Sequence, residues 1–93
     1  MAEDYAALIV DHSASVRRQI AAILRERLSV HEVLEAETPE RALQLLQIDP
    51  GRPVRCVFTE LESTGMSSGE FGRALRAIPA TARAPLLLSL IHI

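Results

Sequence analysis

The stretch that decides the fold reads Ala-Ala-Leu-Ile-Val-Asp-His-Ser at residues 6–13. Its five consecutive apolar residues are typical of a strand that is buried on both faces, as strands are in a parallel sheet. Asp11 and His12 end this strand, and Ser13 is a suitable cap for a helix that follows. The stretch therefore predicts a buried strand that leads directly into a helix, with two polar side chains at the junction.

A helix, a strand and a second helix are predicted next. Apolar residues at helical spacing extend from Val16 to Leu28, and residues 31–36 form a less apolar strand that we expect near an edge of the sheet. Thr38 and Pro39 are typical of the N-cap and first position of a helix. This second helix is predicted to end shortly before a turn that contains proline and glycine.

The remaining chain holds two more strands and a third helix. Residues 54–59 form the third strand, and Cys56 within it is predicted to be a buried thiol because its neighbours are apolar. Ser67 and Glu70 have the spacing of a capping box, and a fourth strand begins at Leu86. The alternation of strands and helices predicts an α/β fold whose parallel sheet carries helices on both faces.

Composition narrows the classes of protein. The 93 residues suffice for one small domain, and 48% hydrophobic residues exclude a disordered chain. A net charge of −2 and only 3% aromatic residues argue against nucleic acid or an anionic membrane as partner. The acidic N-terminus is unlike a signal peptide, and no apolar run reaches the roughly 18–20 residues that span a bilayer. We therefore expect a cytoplasmic protein.

Acidic residues follow two of the predicted strands. Asp11 follows the first strand, and Glu60 and Glu62 follow the third. In open parallel sheets the ligand site lies beyond the carboxyl ends of the strands, where these segments meet. Such an oxygen-rich pocket suits Mg²⁺, with a carboxylate available to accept a phosphoryl group. The alternative is that these acids simply face solvent at the beginnings of loops.

Colinear segments of the chain resemble the receiver domain of response regulators. The strand ending in Asp11-His12 resembles the opening of that domain, where an apolar strand ends in two adjacent aspartates. Further segments resemble the second strand and helix, the third strand with its phosphorylation loop and helix, and the approach to the fourth strand: residues 33–46, 58–76 and 81–87. The resemblance implies a flavodoxin-like sheet of strand order 2-1-3-4(-5), incomplete at the C-terminus.

The resemblance assigns roles to individual positions. Asp11 matches the first metal-site aspartate, whereas His12 stands at the second, and a neutral imidazole is a poor ligand for Mg²⁺. Glu60 stands at the phosphoacceptor position, where its extra methylene spoils in-line attack. The implied metal ligands are Asp11, Glu60 and the main chain of Glu62, and Mg²⁺ is the implied cofactor. We do not expect His12 to bind a transition metal, since no second His or Cys lies at ligand spacing.

The functional prediction is a degenerate receiver in phosphorelay, or two-component, signal transduction. We expect it to be no enzyme, to lack phosphate at Glu60, and to act by contacts with a sensor histidine kinase or other signalling proteins. Glu60 is then either a fixed negative charge in place of a phosphorylated aspartate, or relaxed sequence in a receiver that is no longer modified. Two alternatives stay open: a working phosphoacceptor receiver, and a small α/β enzyme. No glycine follows the first strand to form a phosphate-binding loop, which argues against the enzyme.

The C-terminal hexapeptide Leu-Ser-Leu-Ile-His-Ile, residues 88–93, resembles the in-frame translation of a transposase mosaic-end adapter. The likeness to receivers also fades where this hexapeptide begins. We expect residues 1–87 to form a partial receiver-like domain that ends in the fourth strand, and residues 88–93 to be a non-native tail. The alternative is a native apolar strand.

Overall fold

The computed structural model describes residues 5–28, 30–48, 53–60 and 65–89. Strands and helices alternate along these segments in the order β1 (Ala6–Val10), α1 (Ala14–Arg27), β2 (Glu32–Ala36), α2 (Pro39–Ile48), β3 (Val54–Glu60), α3 (Ser68–Arg76) and β4 (Leu86–Ser89). This is the predicted order, although β3 includes Glu60, one residue beyond the predicted end. Among the described residues, no helix combines the length and apolar character needed to cross a membrane.

The strands form one parallel sheet in the order β2-β1-β3-β4. This arrangement confirms the predicted flavodoxin-like order and places β2 at an edge of the described sheet. Val10 at the end of β1 lies opposite Ala36 of β2 and Thr59 of β3. Because the strands are parallel, the residues that follow β1 and those that end β3 meet at the same edge.

Helices cover both faces of the sheet, as predicted. On one face, Ile9 of β1 and Cys56 of β3 pack in a cluster with Ile20 and Leu24 of α1. Burial raises the pKa of the Cys56 thiol above its ordinary value, against a smaller lowering by the positive charge of Arg55. The predicted buried thiol is therefore confirmed.

The opposite face is packed against α2 and α3. Leu8 of β1 and Val57 of β3 pack there with Leu46 of α2 and with Phe71 and Leu75 of α3. Leu8, Val57 and Phe71 are each 0% exposed. Successive residues of β1 thus point into different cores, which is why every residue of that strand is apolar.

The predicted helix caps are present. The Ser13 hydroxyl accepts a hydrogen bond from the main-chain N–H of Val16, at the start of α1. Ser67 and Glu70 form a reciprocal capping box at the start of α3. These caps supply partners for main-chain N–H groups that a helix leaves unpaired at its first turn.

The end of β4 reaches into the segment predicted to be a non-native tail. The main chain of Leu88 and Ser89 pairs in parallel with Thr59 and Glu60 of β3. Residues 90–93 lie outside the described residues. Strand pairing does not test the origin of a segment, so the division between residues 1–87 and 88–93 stays a prediction.

Candidate functional site at the carboxyl edge of the sheet

Asp11 is the first residue after β1, and its carboxylate is held by its own turn. The Asp11 main-chain N–H donates to the carbonyl oxygen of Ala36 over 3.0 Å, which extends the pairing with β2 by one residue. Its Oδ1 accepts a hydrogen bond of 2.8 Å from the main-chain N–H of Ser13. The side chain is 1% exposed. The buried end of β1 therefore holds this carboxylate in one place at the edge of the sheet.

Glu60 and His12 meet beside Asp11. A hydrogen bond of 2.7 Å joins Oε2 of Glu60 to Nδ1 of His12, although the two residues lie 48 positions apart. The same ring nitrogen lies 3.8 Å from Oδ1 of Asp11. The Glu60 side chain is 7% exposed, whereas that of His12 is 70% exposed. The site thus consists of two buried carboxylates with an exposed imidazole against them.

These three residues are the ones that the sequence places at this edge, and the structure brings them together. One potential ligand atom from each lies within 4.8 Å of the other two. The fourth predicted participant, the main chain of Glu62, lies outside the described residues. The hydrogen bond between His12 and Glu60 was not predicted, because the sequence alone gives no distance between the two strand ends.

Arg17 also belongs to this edge. The sequence predicts Arg17 and Arg18 on a solvated face of α1, since both fall outside its apolar face, and for Arg17 this prediction is wrong. Its Nη1 donates to the main-chain oxygen of Asp11 at 2.6 Å, and its Nε donates to Oε1 of Glu35 at 2.9 Å. The Arg17 side chain is 13% exposed, whereas its neighbour Arg18 is exposed as predicted. The sequence position of Arg17 could have indicated this contact. Arg17 lies one turn after the Ser13 cap and therefore close to the end of β1.

Gly65 and Met66, which precede α3, contact Glu40 of α2. Oε2 of Glu40 accepts a hydrogen bond of 3.2 Å from the main-chain N–H of Met66. Gly65 has a φ of +90°, and a Cβ there would lie 2.8 Å from the same Glu40 oxygen. Glycine therefore meets both a backbone and a space requirement at this position. Glu40 therefore holds Gly65 and Met66, just before α3, against the start of α2.

A groove of about 370 Å³ lies next to the site, beside the carboxyl end of β2. Arg17, Glu35 and Thr38 line it together with Arg41. Glu35 is bonded to Arg17, and Arg41 donates to Oε1 of Gln44. Arg17, Glu35 and Arg41 are thus engaged with partners of their own chain, and Glu37 also lines the groove.

Comparisons with known proteins identify the fold. No protein-family model matches the sequence, and no curated protein is significantly similar to it. Two crystal structures of the chemotaxis response regulator CheY4 of Vibrio cholerae superimpose well, one of them crystallised at pH 4.0. Their TM-scores are 0.73 and 0.72, each with 23% identity over 92% of this chain and 68% of the other. The chain has the fold of a response-regulator receiver.

The receiver resemblance implies a bound Mg²⁺, and the donor set at this edge does not fit that ion. Mg²⁺ demands near-ideal octahedral coordination by oxygen and binds through carboxylates and water. Here an imidazole nitrogen stands where the resemblance expects a second carboxylate, and it lies 2.7 Å from an oxygen of Glu60. One ligand position therefore offers nitrogen, and one carboxylate oxygen is already engaged.

Proposed function

We propose that the chain is a receiver-like signalling module of a phosphorelay that acts through protein contacts and takes no phosphate at Glu60. The receiver fold and its likeness to chemotaxis response regulators support a signalling role. A sensor histidine kinase or another signalling protein is the proposed partner, and the cytoplasm is the proposed location. The proposal assigns the chain no catalytic activity.

The hydrogen bond between Glu60 and His12 carries this proposal. Phosphoryl transfer depends mainly on positioning and on neutralising charge around the transferred group. Oε2 of Glu60 is bonded to an imidazole nitrogen rather than held free for in-line attack. The extra methylene of glutamate further displaces the carboxylate by roughly an ångström from where an aspartate would place it.

Phosphotransfer with a small acyl phosphate tests the proposal. The full chain is incubated with Mg²⁺ and the donor, and its intact mass is measured. We expect an unchanged mass, while a chemotaxis response regulator treated in parallel gains one phosphoryl group and shows that the donor is active.

A gain of one phosphoryl group by this chain would count against the proposal if Glu60→Gln abolished it. Glu32→Gln is the matched control, since Glu32 is an exposed glutamate on β2. Loss of the phosphoryl group in Glu60→Gln, with retention in Glu32→Gln, would assign the modification to Glu60. The chain would then be a working phosphoacceptor receiver.

A further inference from the structure

The geometry of Asp11, His12 and Glu60 points to a binding site for a borderline divalent transition-metal ion, with Zn²⁺ as its representative. Each residue offers one ligand atom, and these atoms lie within 4.8 Å of one another. Two carboxylate oxygens and one imidazole nitrogen form a donor set that Zn²⁺ accepts readily. Three protein ligands leave one position of a tetrahedral ion for water or for a group from a partner.

Two of the three distances among the ligand atoms are close to those around such an ion. Zn²⁺ bonds of about 2.1 Å at tetrahedral angles place neighbouring ligand atoms about 3.4 Å apart. Nδ1 of His12 lies 2.7 Å from Oε2 of Glu60 and 3.8 Å from Oδ1 of Asp11, so the two distances bracket that separation. Each contact needs to change by less than about 1 Å to admit the ion. His12 can make that adjustment because its side chain is 70% exposed.

Burial of the two carboxylates favours a cation between them. Asp11 is 1% exposed and Glu60 is 7% exposed, so their ionised forms are largely removed from water. Charges removed from water are costly unless opposite charge and hydrogen bonds compensate them. Asp11 accepts a hydrogen bond from Ser13 and Glu60 is hydrogen-bonded to His12, and a divalent ion would add opposite charge beside both carboxylates at once.

The imidazole decides which divalent ion binds. Nitrogen ligands favour the later first-row metals over Mg²⁺, whose preference is for oxygen. On binding, the metal takes the place of the hydrogen between Nδ1 of His12 and Oε2 of Glu60. The neutral ring then coordinates through Nδ1 and carries its hydrogen on Nε2. We did not expect His12 to bind a transition metal because the sequence has no second His or Cys at ligand spacing. The structure instead places two carboxylates, those of Asp11 and Glu60, beside it.

This inference deepens the proposed function, because it names the ligand of the same pocket and rests on that pocket being closed to Mg²⁺-dependent phosphotransfer. The two ideas fail separately. Phosphate on Glu60 would contradict the proposed function, and absence of Zn²⁺ binding in a chain that also takes no phosphate would contradict only the metal site.

Calorimetric titration of the full chain with Zn²⁺ and, separately, with Mg²⁺ tests the site. We expect one Zn²⁺ per chain and no saturable binding of Mg²⁺ in the same concentration range. His12→Ala should weaken Zn²⁺ binding by at least about 100-fold, since even supporting partners of metal ligands are worth about 10- to 100-fold. The double variant His31→Ala/His92→Ala is the matched control, since it keeps only His12, and it should bind Zn²⁺ as the unchanged chain does.

A further variant, His12→Asp, separates ligation from structure. It makes the donor set all oxygen, so Zn²⁺ should bind more weakly and Mg²⁺ more tightly than in the unchanged chain. Far-UV circular dichroism checks that each variant keeps its fold, which we expect because His12 is exposed. The site is refuted if His12→Ala binds Zn²⁺ undiminished, if the double variant loses binding, or if Mg²⁺ binds the unchanged chain as tightly as Zn²⁺.

Discussion

The core of the sheet and its carboxyl edge differ in how closely they follow a receiver. The two hydrophobic clusters of the core include Leu8, Ile9 and Phe71, each 0% exposed, and the strands have receiver order. At the edge, His12 and Glu60 are hydrogen-bonded to each other, and the sequence resemblance places both at positions where receivers are expected to carry aspartates. The comparison teaches that the apolar pattern maintains the fold while a few side chains at the edge decide the chemistry.

The largest effect on stability is expected in the core. Phe71→Ala should lower the free energy of unfolding by about 3–5 kcal/mol, because it removes a fully buried ring between α3 and the sheet. Ile23→Ala is the apolar control, since Ile23 is 54% exposed and its truncation should cost within about 0.5 kcal/mol. Urea unfolding followed by circular dichroism measures both. Similar losses in the two variants would show that the packing assigned to the core is incorrect.

A smaller loss of stability is expected when Arg17 loses its hydrogen bonds at the carboxyl edge of the sheet. Arg17→Met keeps an apolar stem but removes the hydrogen bonds to the Asp11 carbonyl and to Glu35. A hydrogen bond that involves a charged group is worth about 1.5–3 kcal/mol, and we expect a loss near the lower end because Glu35 is partly exposed. Arg18→Met, one residue along the exposed side of α1, should change stability by about 0.5 kcal/mol or less. Equal urea midpoints for the two variants would contradict a stabilising role of the Arg17 hydrogen bonds.

The smallest effect concerns the capping box of α3 and depends on pH. Hydrogen bonds from the main-chain N–H and the hydroxyl of Ser67 lower the pKa of Glu70 below its ordinary value of 4.5, with a further contribution from Arg73. A folded-state pKa below the unfolded one means that the contribution is present above the unfolded pKa and is lost as pH falls through the folded value. Glu70→Gln should therefore lower the thermal midpoint slightly at neutral pH and progressively less in acid. If the difference in thermal midpoint between Glu70→Gln and the unchanged chain grew as pH fell, it would contradict a stabilising role of the Glu70 carboxylate in the capping box.

Local sequence patterns predicted most of the fold. The run of residues 6–10 implied a strand buried on both faces, and it is one. Ser13 and the pair of Ser67 and Glu70 correctly marked the starts of α1 and α3, because capping needs only residues within one turn. The burial of Cys56 followed from its apolar neighbours along the strand.

Interactions between segments that are distant in the sequence were harder to predict. The switch-point rule brought Asp11, His12 and Glu60 to the same edge, but the bond from His12 to Glu60 depends on side-chain positions that only the folded sheet defines. The role of Arg17 was missed for the same reason, since its partner Glu35 lies on another strand. Charged residues on a helix are most often solvated, and only the packing of α1 over the edge makes this one different.

The response of main-chain amides to Mg²⁺, followed by two-dimensional NMR, tests most directly whether the fold is kept while the edge has changed. A well-dispersed spectrum would report the packed core. The account predicts that Mg²⁺ leaves the amides of Asp11, His12 and Glu60 without a saturable shift, because Mg²⁺ prefers oxygen ligands and the imidazole of His12 is hydrogen-bonded to Glu60. A saturable Mg²⁺ shift confined to these three amides in the folded chain would contradict it.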